Sequence, residues 1–170
     1  MSATRHVVVM GVAGVGKSTI AQGLAAELDL ELAEGDGFHP ASNVEKMSSG
    51  LALTDEDRWP WLEKLADWTR ERRTAGQSTV VTCSALRKVY RDVLRGADFD
   101  TFFVFLHGKE ELLQERMKAR DHFMPGSLLR SQFETLEPLE PDESGVALDV
   151  AEPAEEITAK ALSVLKSTKA

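Results

Sequence analysis

Eight consecutive residues constrain this chain more than any other stretch. Gly11-Val12-Ala13-Gly14-Val15-Gly16-Lys17-Ser18 fits G-x-x-x-x-G-K-[ST] at every fixed position. It follows the β-branched run Val7-Val8-Val9-Met10 and opens a segment with Ile20, Leu24, Ala25 and Leu28 at helical spacing. Strand, tight glycine turn and helix is the context in which that pattern binds phosphate. Glycines accept positive φ and carry no side chain, so the main chain can wrap closely around an anion. The N–H groups this frees, with the positive end of the helix, point at phosphate oxygens. Lys17 is then placed to reach the β- and γ-phosphates, and the Ser18 hydroxyl to hold Mg²⁺. The expected nucleotide contacts are Gly11, Val12, Ala13, Gly14, Val15, Gly16, Lys17, Ser18 and Thr19. A structural glycine turn would have no need of Lys-Ser at this register.

The rest of the chain supplies the fold this turn requires. Short apolar runs at Leu30–Ala33, Thr79–Thr82, Phe102–Leu106 and Val146–Val150 are separated by helical patterns. Those patterns cover about Trp59–Ala75, with Pro60 in the first turn, then Lys88–Arg95, Lys109–Ala119, Ser127–Leu136 and Ala154–Lys166. Alternating strands and helices predict an α/β fold: three layers, a five-stranded parallel sheet, helices on both faces, and a small helical lid at about 117–135. The 170 residues fit one domain, with a substrate-binding region at about 36–65. Ligands bind at the carboxyl edge of such a sheet. Lys plus Arg number 20 against 28 Asp plus Glu, a net charge of −8, which argues against nucleic acid as a partner. One cysteine permits no internal disulfide and no cysteine-cluster zinc site. No apolar stretch approaches the ~20 residues of a membrane span. The first residues run straight into a strand, leaving no room for a signal peptide, so the expected setting is cytoplasmic and off the membrane.

Several side chains could work beside the phosphate turn. Asp36, in Gly35-Asp36-Gly37, follows the second strand and could accept or orient a hydroxyl proton, or simply serve a local turn. His39 is either a substrate contact or loop packing. Arg58 could fork onto a substrate carboxylate or form a surface ion pair. Trp59 and Trp61 read as core or crevice wall, and Cys83 as a small buried residue beneath the site. Arg87, Arg91 and Arg95 recur at i, i+4 and i+8, giving a shared basic stripe whose first two members could face substrate. Arg116 and Arg120, one turn apart before a loop, could close over a triphosphate or merely complement a helix dipole. His6 and His107 read as structural. The acidic, proline-containing segment Glu137–Glu143 reads as a surface loop. The third strand lacks a metal-binding aspartate, leaving the second Mg²⁺ ligand to water or Asp36. A guanine-recognition N-K-x-D element is absent, and the size suits a small kinase.

Together these residues resemble one family, the bacterial-type gluconate kinases, which are small P-loop kinases related to shikimate and nucleoside monophosphate kinases. The resemblance covers nearly the whole chain. It rests on the phosphate turn, Gly35-Asp36 with His39-Pro40, Glu45-Lys46-Met47 through Gly50, and Asp55, Asp57-Arg58 and Pro60-Trp61-Leu62. It continues through Cys83-Ser84-Ala85-Leu86, Tyr90-Arg91-Asp92, Arg116, Arg120 with His122-Phe123, and Gln132-Phe133-Glu134-Thr135-Leu136-Glu137. Glu34, where the family commonly has Asp, and the non-basic Pro125-Gly126-Ser127 depart from it. The resemblance implies ATP- and Mg²⁺-dependent phosphorylation of D-gluconate at the 6-hydroxyl by a homodimer with a helical lid. It implies Asp36 at the substrate hydroxyl, Arg58 on substrate, Arg116 on adenine and Arg120 on phosphate; taken with the reading of the residues above, the expected catalytic set is Lys17, Asp36 and Arg120, and the expected substrate set Asp36, His39, Arg58, Ser84, Arg87 and Arg91. The same chemistry on shikimate, a nucleoside monophosphate or another sugar acid is the alternative, and a nucleotide-binding regulatory module is a further one.

Overall fold

The computed structural model describes residues 4–119 and 126–167. Five strands form one parallel sheet in the order β2-β3-β1-β4-β5. They are β1 (His6–Met10), β2 (Glu31–Glu34), β3 (Thr79–Thr82), β4 (Phe102–His107) and β5 (Gly145–Asp149). Every residue of β1 is buried, because β3 pairs on one side of it and β4 on the other. β5, at an edge, buries only Leu148.

The described helices are α1 (Lys17–Leu28), α2 (Ala41–Ser48), α3 (Asp55–Thr74), α4 (Lys88–Arg95), α5 (Glu110–Ala119), α6 (Gly126–Thr135) and α7 (Ala154–Ser167). A 3₁₀ turn, Gly35–Phe38, joins β2 to α2. The chain moves outward from β1 to β2 through α1, then back to β3 through α3. Right-handed crossovers therefore put α1 and α3 on opposite faces of the sheet. α7 packs beside α1, and α4 beside α3, which completes three layers.

The five strands and the α/β architecture agree with expectation to within a residue or two at each boundary. Three local readings need correction. α3 begins at Asp55, not Trp59, because Thr54 closes a capping box: its hydroxyl accepts from Asp57 N (3.2 Å) and Asp57 Oδ2 accepts from Thr54 N (2.8 Å). Pro60 thus lies inside the helix rather than in its first turn. α2 was not anticipated. It buries only Asn43 and so shows no apolar periodicity.

The third correction concerns the arginine stripe. Arg91 is fully buried, with its guanidinium bonded to Glu143 (2.8 and 3.0 Å), the Ala85 carbonyl (2.8 Å) and the Pro138 carbonyl (3.4 Å). Arg95 NH2 reaches the same Glu143 at 2.7 Å. The acidic segment 137–143 is largely exposed, as expected of a surface loop, yet it also carries the buried counter-ion that pins α4 to the start of β5. Burial pushes the Glu143 carboxyl up, but hydrogen bonds from Arg91, Glu140 N and Arg95 outweigh it and bring the group down to about 2. A depressed carboxyl stabilises the fold above its ordinary value of 4.5, and that contribution is lost as pH falls toward 2. Arg91→Met leaves the buried Glu143 carboxylate with Arg95 as its one cationic partner, which costs up to about 3–5 kcal/mol, or on the order of 10 °C in melting temperature for a chain this size. Thermal melts should show that deficit at pH 7 and show it shrinking below pH 4.5. A deficit independent of pH would contradict the pairing.

Candidate active site

Gly11 leaves β1 between two neighbouring strands. Its N–H donates to the Ser84 carbonyl (3.2 Å), and a Cβ there would lie 2.5 Å from the Leu106 carbonyl oxygen. Gly16 sits at φ 98° as the N-cap of α1, a conformation that a larger residue rarely adopts. Between them the turn is anchored by the buried side chains of Val12 and Val15. The described loop therefore has the shape its pattern predicts, with the α1 N-terminus behind it.

Lys17 folds back over this turn and donates to the carbonyls of Gly11 (3.0 Å) and Val12 (3.1 Å). Burial lowers its pKa from the usual lysine value, opposed most by the nearby Asp36 carboxylate. Ser18 and Thr19 are exposed in the first turn of α1. Ser18 Oγ donates to Glu34 Oε1 at 2.9 Å, and Thr82 Oγ1 donates to the same oxygen at 2.7 Å. The register that sets Glu34 opposite Thr82 brings these groups together at the carboxyl edge. Ser18 and Glu34 form an all-oxygen pair of the kind a hard divalent cation prefers. Glu34 is not among the candidate site residues read from the sequence. Its signal was available in the acid-glycine-acid order Glu34-Gly35-Asp36 at a strand end.

Asp36 is the second residue of the 3₁₀ turn, after Gly35, and is exposed. It is near enough to act electrostatically on Lys17, His39 and Cys83. His39 stacks on Trp61, with ring centroids 4.0 Å apart and planes 17° from parallel. Trp61 is itself fixed, since its Nε1–H donates to the Gly35 carbonyl (2.8 Å). Burial lowers the pKa of His39, Asp36 opposes this, and Arg58 adds to it, so the ring is neutral near pH 7. Asn43 Nδ2 donates to His39 Nδ1 (3.1 Å), which leaves the proton on Nε2 as a donor.

Arg58 is held at the N-terminal end of α3. Its NH1 donates to the Tyr90 hydroxyl (2.7 Å), and that hydroxyl donates to Asp55 Oδ1 (2.5 Å). The Tyr90 bond is the main cause that keeps the Asp55 carboxyl below its usual value; burial opposes it and Arg87 assists. Arg87 NH1 meets Asp55 Oδ2 at 2.7 Å, and its Nε meets Glu137 Oε2 at 3.3 Å. Glu137 Oε1 also accepts from Lys88 N (2.8 Å), which caps α4. Arg87 is thus tied to two acids at the rim. Ser84 is half-buried at the end of β3, beside the phosphate turn. Arg91 is not part of this group, since its guanidinium lies wholly in the scaffold described above. Arg116 is half-buried on α5. Arg120 lies outside the described residues.

The structure therefore brings Lys17, Ser18, Glu34, Asp36, His39, Arg58 and Ser84 to one edge of a parallel sheet, around a glycine turn built for phosphate. That fold and edge define a P-loop phosphotransferase. A sequence-family profile described as an AAA domain matches residues 7–139. The chain is 52% identical over 134 residues to a gluconokinase of Gluconobacter oxydans, covering 78% of this chain and 75% of that one. It is 39% identical over 175 residues to the thermoresistant gluconokinase of Escherichia coli, covering 99% and 100%. Among solved structures, an unliganded sugar kinase from Janibacter superposes with a TM-score of 0.93 at 54% identity, covering 97% of this chain and 96% of that one. The chain belongs to the gluconokinase family.

Cys83 offers a direct check on this geometry. It is 1% exposed beneath Lys17, and burial pushes its thiol up to about 12. A thiol-disulfide reagent at pH 8 should label the folded protein at least ~100-fold more slowly than the unfolded chain. Rapid stoichiometric labelling of the folded protein would show that the floor of the site is open.

Proposed function

We propose that this protein transfers the γ-phosphoryl group of ATP to the 6-hydroxyl of D-gluconate, giving 6-phospho-D-gluconate and ADP, as a cytoplasmic homodimer. The observation that carries the reading is a glycine turn covered by Lys17, with Asp36 close enough to act on both Lys17 and His39, and Arg58 close enough to act on His39. The named relatives support gluconate as the acceptor.

The hydroxyl oxygen attacks the γ-phosphorus, the bond to the β–γ bridging oxygen breaks, and the hydroxyl proton passes to Asp36. The transition state is loose and asks mainly for positioning and charge neutralisation. Lys17, now satisfied by two carbonyls, can turn its ammonium toward the β- and γ-oxygens. His39 Nε2–H donates to a substrate hydroxyl. Arg58 faces the substrate carboxylate; a chain of net charge −8 needs such a local cation to hold an anion. Ser84 lines the acceptor side, and Arg87 contributes positive potential at the rim. Arg116 packs on adenine and Arg120 reaches phosphate, as the family resemblance implies. Ser18 and Glu34 would hold Mg²⁺, which when bound screens the phosphate charge. The segment at about 117–135 serves as the lid.

Coupled ADP-release assays over gluconate, shikimate, nucleoside monophosphates and other sugar acids test the acceptor. Gluconate should give the highest kcat/KM, and stimulation by none would overturn the reading. Lys17→Ala should lower kcat by ~10³ or more, since it removes charge stabilisation made in the transition state. Asp36→Asn should lose ~10²-fold with KM for ATP little changed. Arg58→Ala should raise the KM for gluconate by roughly 10-fold or more while that for ATP stays within about 2-fold. An unchanged gluconate KM would remove Arg58 from the pocket.

A further inference from the structure

One amide of the phosphate turn already has a side-chain partner from elsewhere in the chain. Ala13 N–H donates to Gln132 Oε1 at 2.7 Å, a bond that spans the chain from the turn to α6. A main-chain N–H has one proton, so a ligand oxygen and the Gln132 carboxamide compete for it. The contact is built rather than incidental. Leu129, one turn before Gln132 on α6, is fully buried, and Leu128 is nearly so. The next residue of the turn, Gly14, lies against α5: a Cβ there would sit 2.7 Å from Met117 Cγ. Two helices thus rest on adjacent residues of the turn, and one of them occupies an amide. A neutral carboxamide suits that task, because it satisfies the N–H without placing an anion where phosphate must come.

Ala13 lies three residues before Gly16, the N-cap of α1, so it is set back along the turn from the helix N-terminus. We propose that Ala13 N–H takes the terminal phosphate and that Gln132 is a positioning residue that senses it: its Oε1 holds Ala13 N–H in the nucleotide-free protein and yields it to a γ-phosphoryl oxygen. The hand-over unties α6 from the turn when a triphosphate is seated, and leaves it tied when a diphosphate is. No covalent step is involved. The inference rests on the nucleotide-binding role given to the turn above.

Calorimetric titration with ADP and with a non-hydrolysable ATP analogue tests it. In Gln132→Ala the analogue no longer displaces an intramolecular bond, so its affinity should rise by about 2- to 10-fold, the equivalent of one net hydrogen bond. The affinity for ADP should stay within about 2-fold. Gln132→Glu keeps the size and the acceptor but adds a like charge, so it should weaken the analogue at least ~10-fold and ADP much less. Hydrogen exchange at Ala13 and along α6 in the wild type should change with the analogue and not with ADP. An analogue affinity unchanged or weakened in Gln132→Ala, or equal shifts for both nucleotides in either variant, would overturn the proposal. Wild-type protein that bound neither nucleotide would overturn the phosphate-turn reading with it, which separates the two failures.

Discussion

Main-chain amides must converge on an anion at the end of β1, and most of the molecule can be understood as what that convergence demands. Amides are fixed in the backbone, so they can be aimed only by aiming the chain. Aiming the chain requires glycine at Gly11 and Gly16, where the path is too tight or the φ too unusual for a side chain. It also requires a rigid strand behind the turn, which β1 provides by being buried along its whole length. A strand buried on both faces belongs to a parallel sheet covered by helices. Polar groups beside the turn then arrive on the neighbouring strand ends, Glu34 as the last residue of β2 with Asp36 just after it, and Ser84 after β3.

Charge is distributed by a second rule. An acidic protein that receives two anionic ligands must keep some cations available and use others for structure. The fully buried Arg91 belongs to the second group. It is matched by the buried Glu143 and holds Ala85, which adopts a left-handed φ of 44° at the exit of β3. Such a conformation in a non-glycine residue persists only where its surroundings enforce it. Arg87 is intermediate, shared between Asp55 and Glu137. Lys17 donates to two neutral carbonyls, and Arg58 donates to the neutral Tyr90 hydroxyl, with Asp55 farther off at 4.0 Å. This ordering, from matched by acids to lent to neutral acceptors, separates scaffold from site more cleanly than residue type does.

Much of this was readable in the chain, and the reason is local spacing. The phosphate turn needs its residues at consecutive positions, so eight letters carry it. Strands announce themselves as short apolar runs, and α4 was bounded correctly by its own composition. What escaped notice depends on distant partners. The i, i+4, i+8 spacing of Arg87, Arg91 and Arg95 shows a common face, but says nothing of a glutamate 52 residues from Arg91 waiting to bury it. Gln132 looked like part of a family pattern until its 2.7 Å bond to Ala13 gave it a physical partner. Glu34 read as a departure from the family pattern, and only the pairing of β2 with β3 set it against Ser18 and Thr82. α2 lacked an apolar stripe altogether, because polar Asn43 is what it buries.

A crystal structure of the protein with a non-hydrolysable ATP analogue and gluconate bears most directly on the central claim. The account expects the terminal phosphates within the amides of residues 11–18, the C6 hydroxyl in hydrogen-bond reach of Asp36, and the carboxylate toward Arg58. A nucleotide seated elsewhere, or a sugar acid bound away from Asp36, would contradict it.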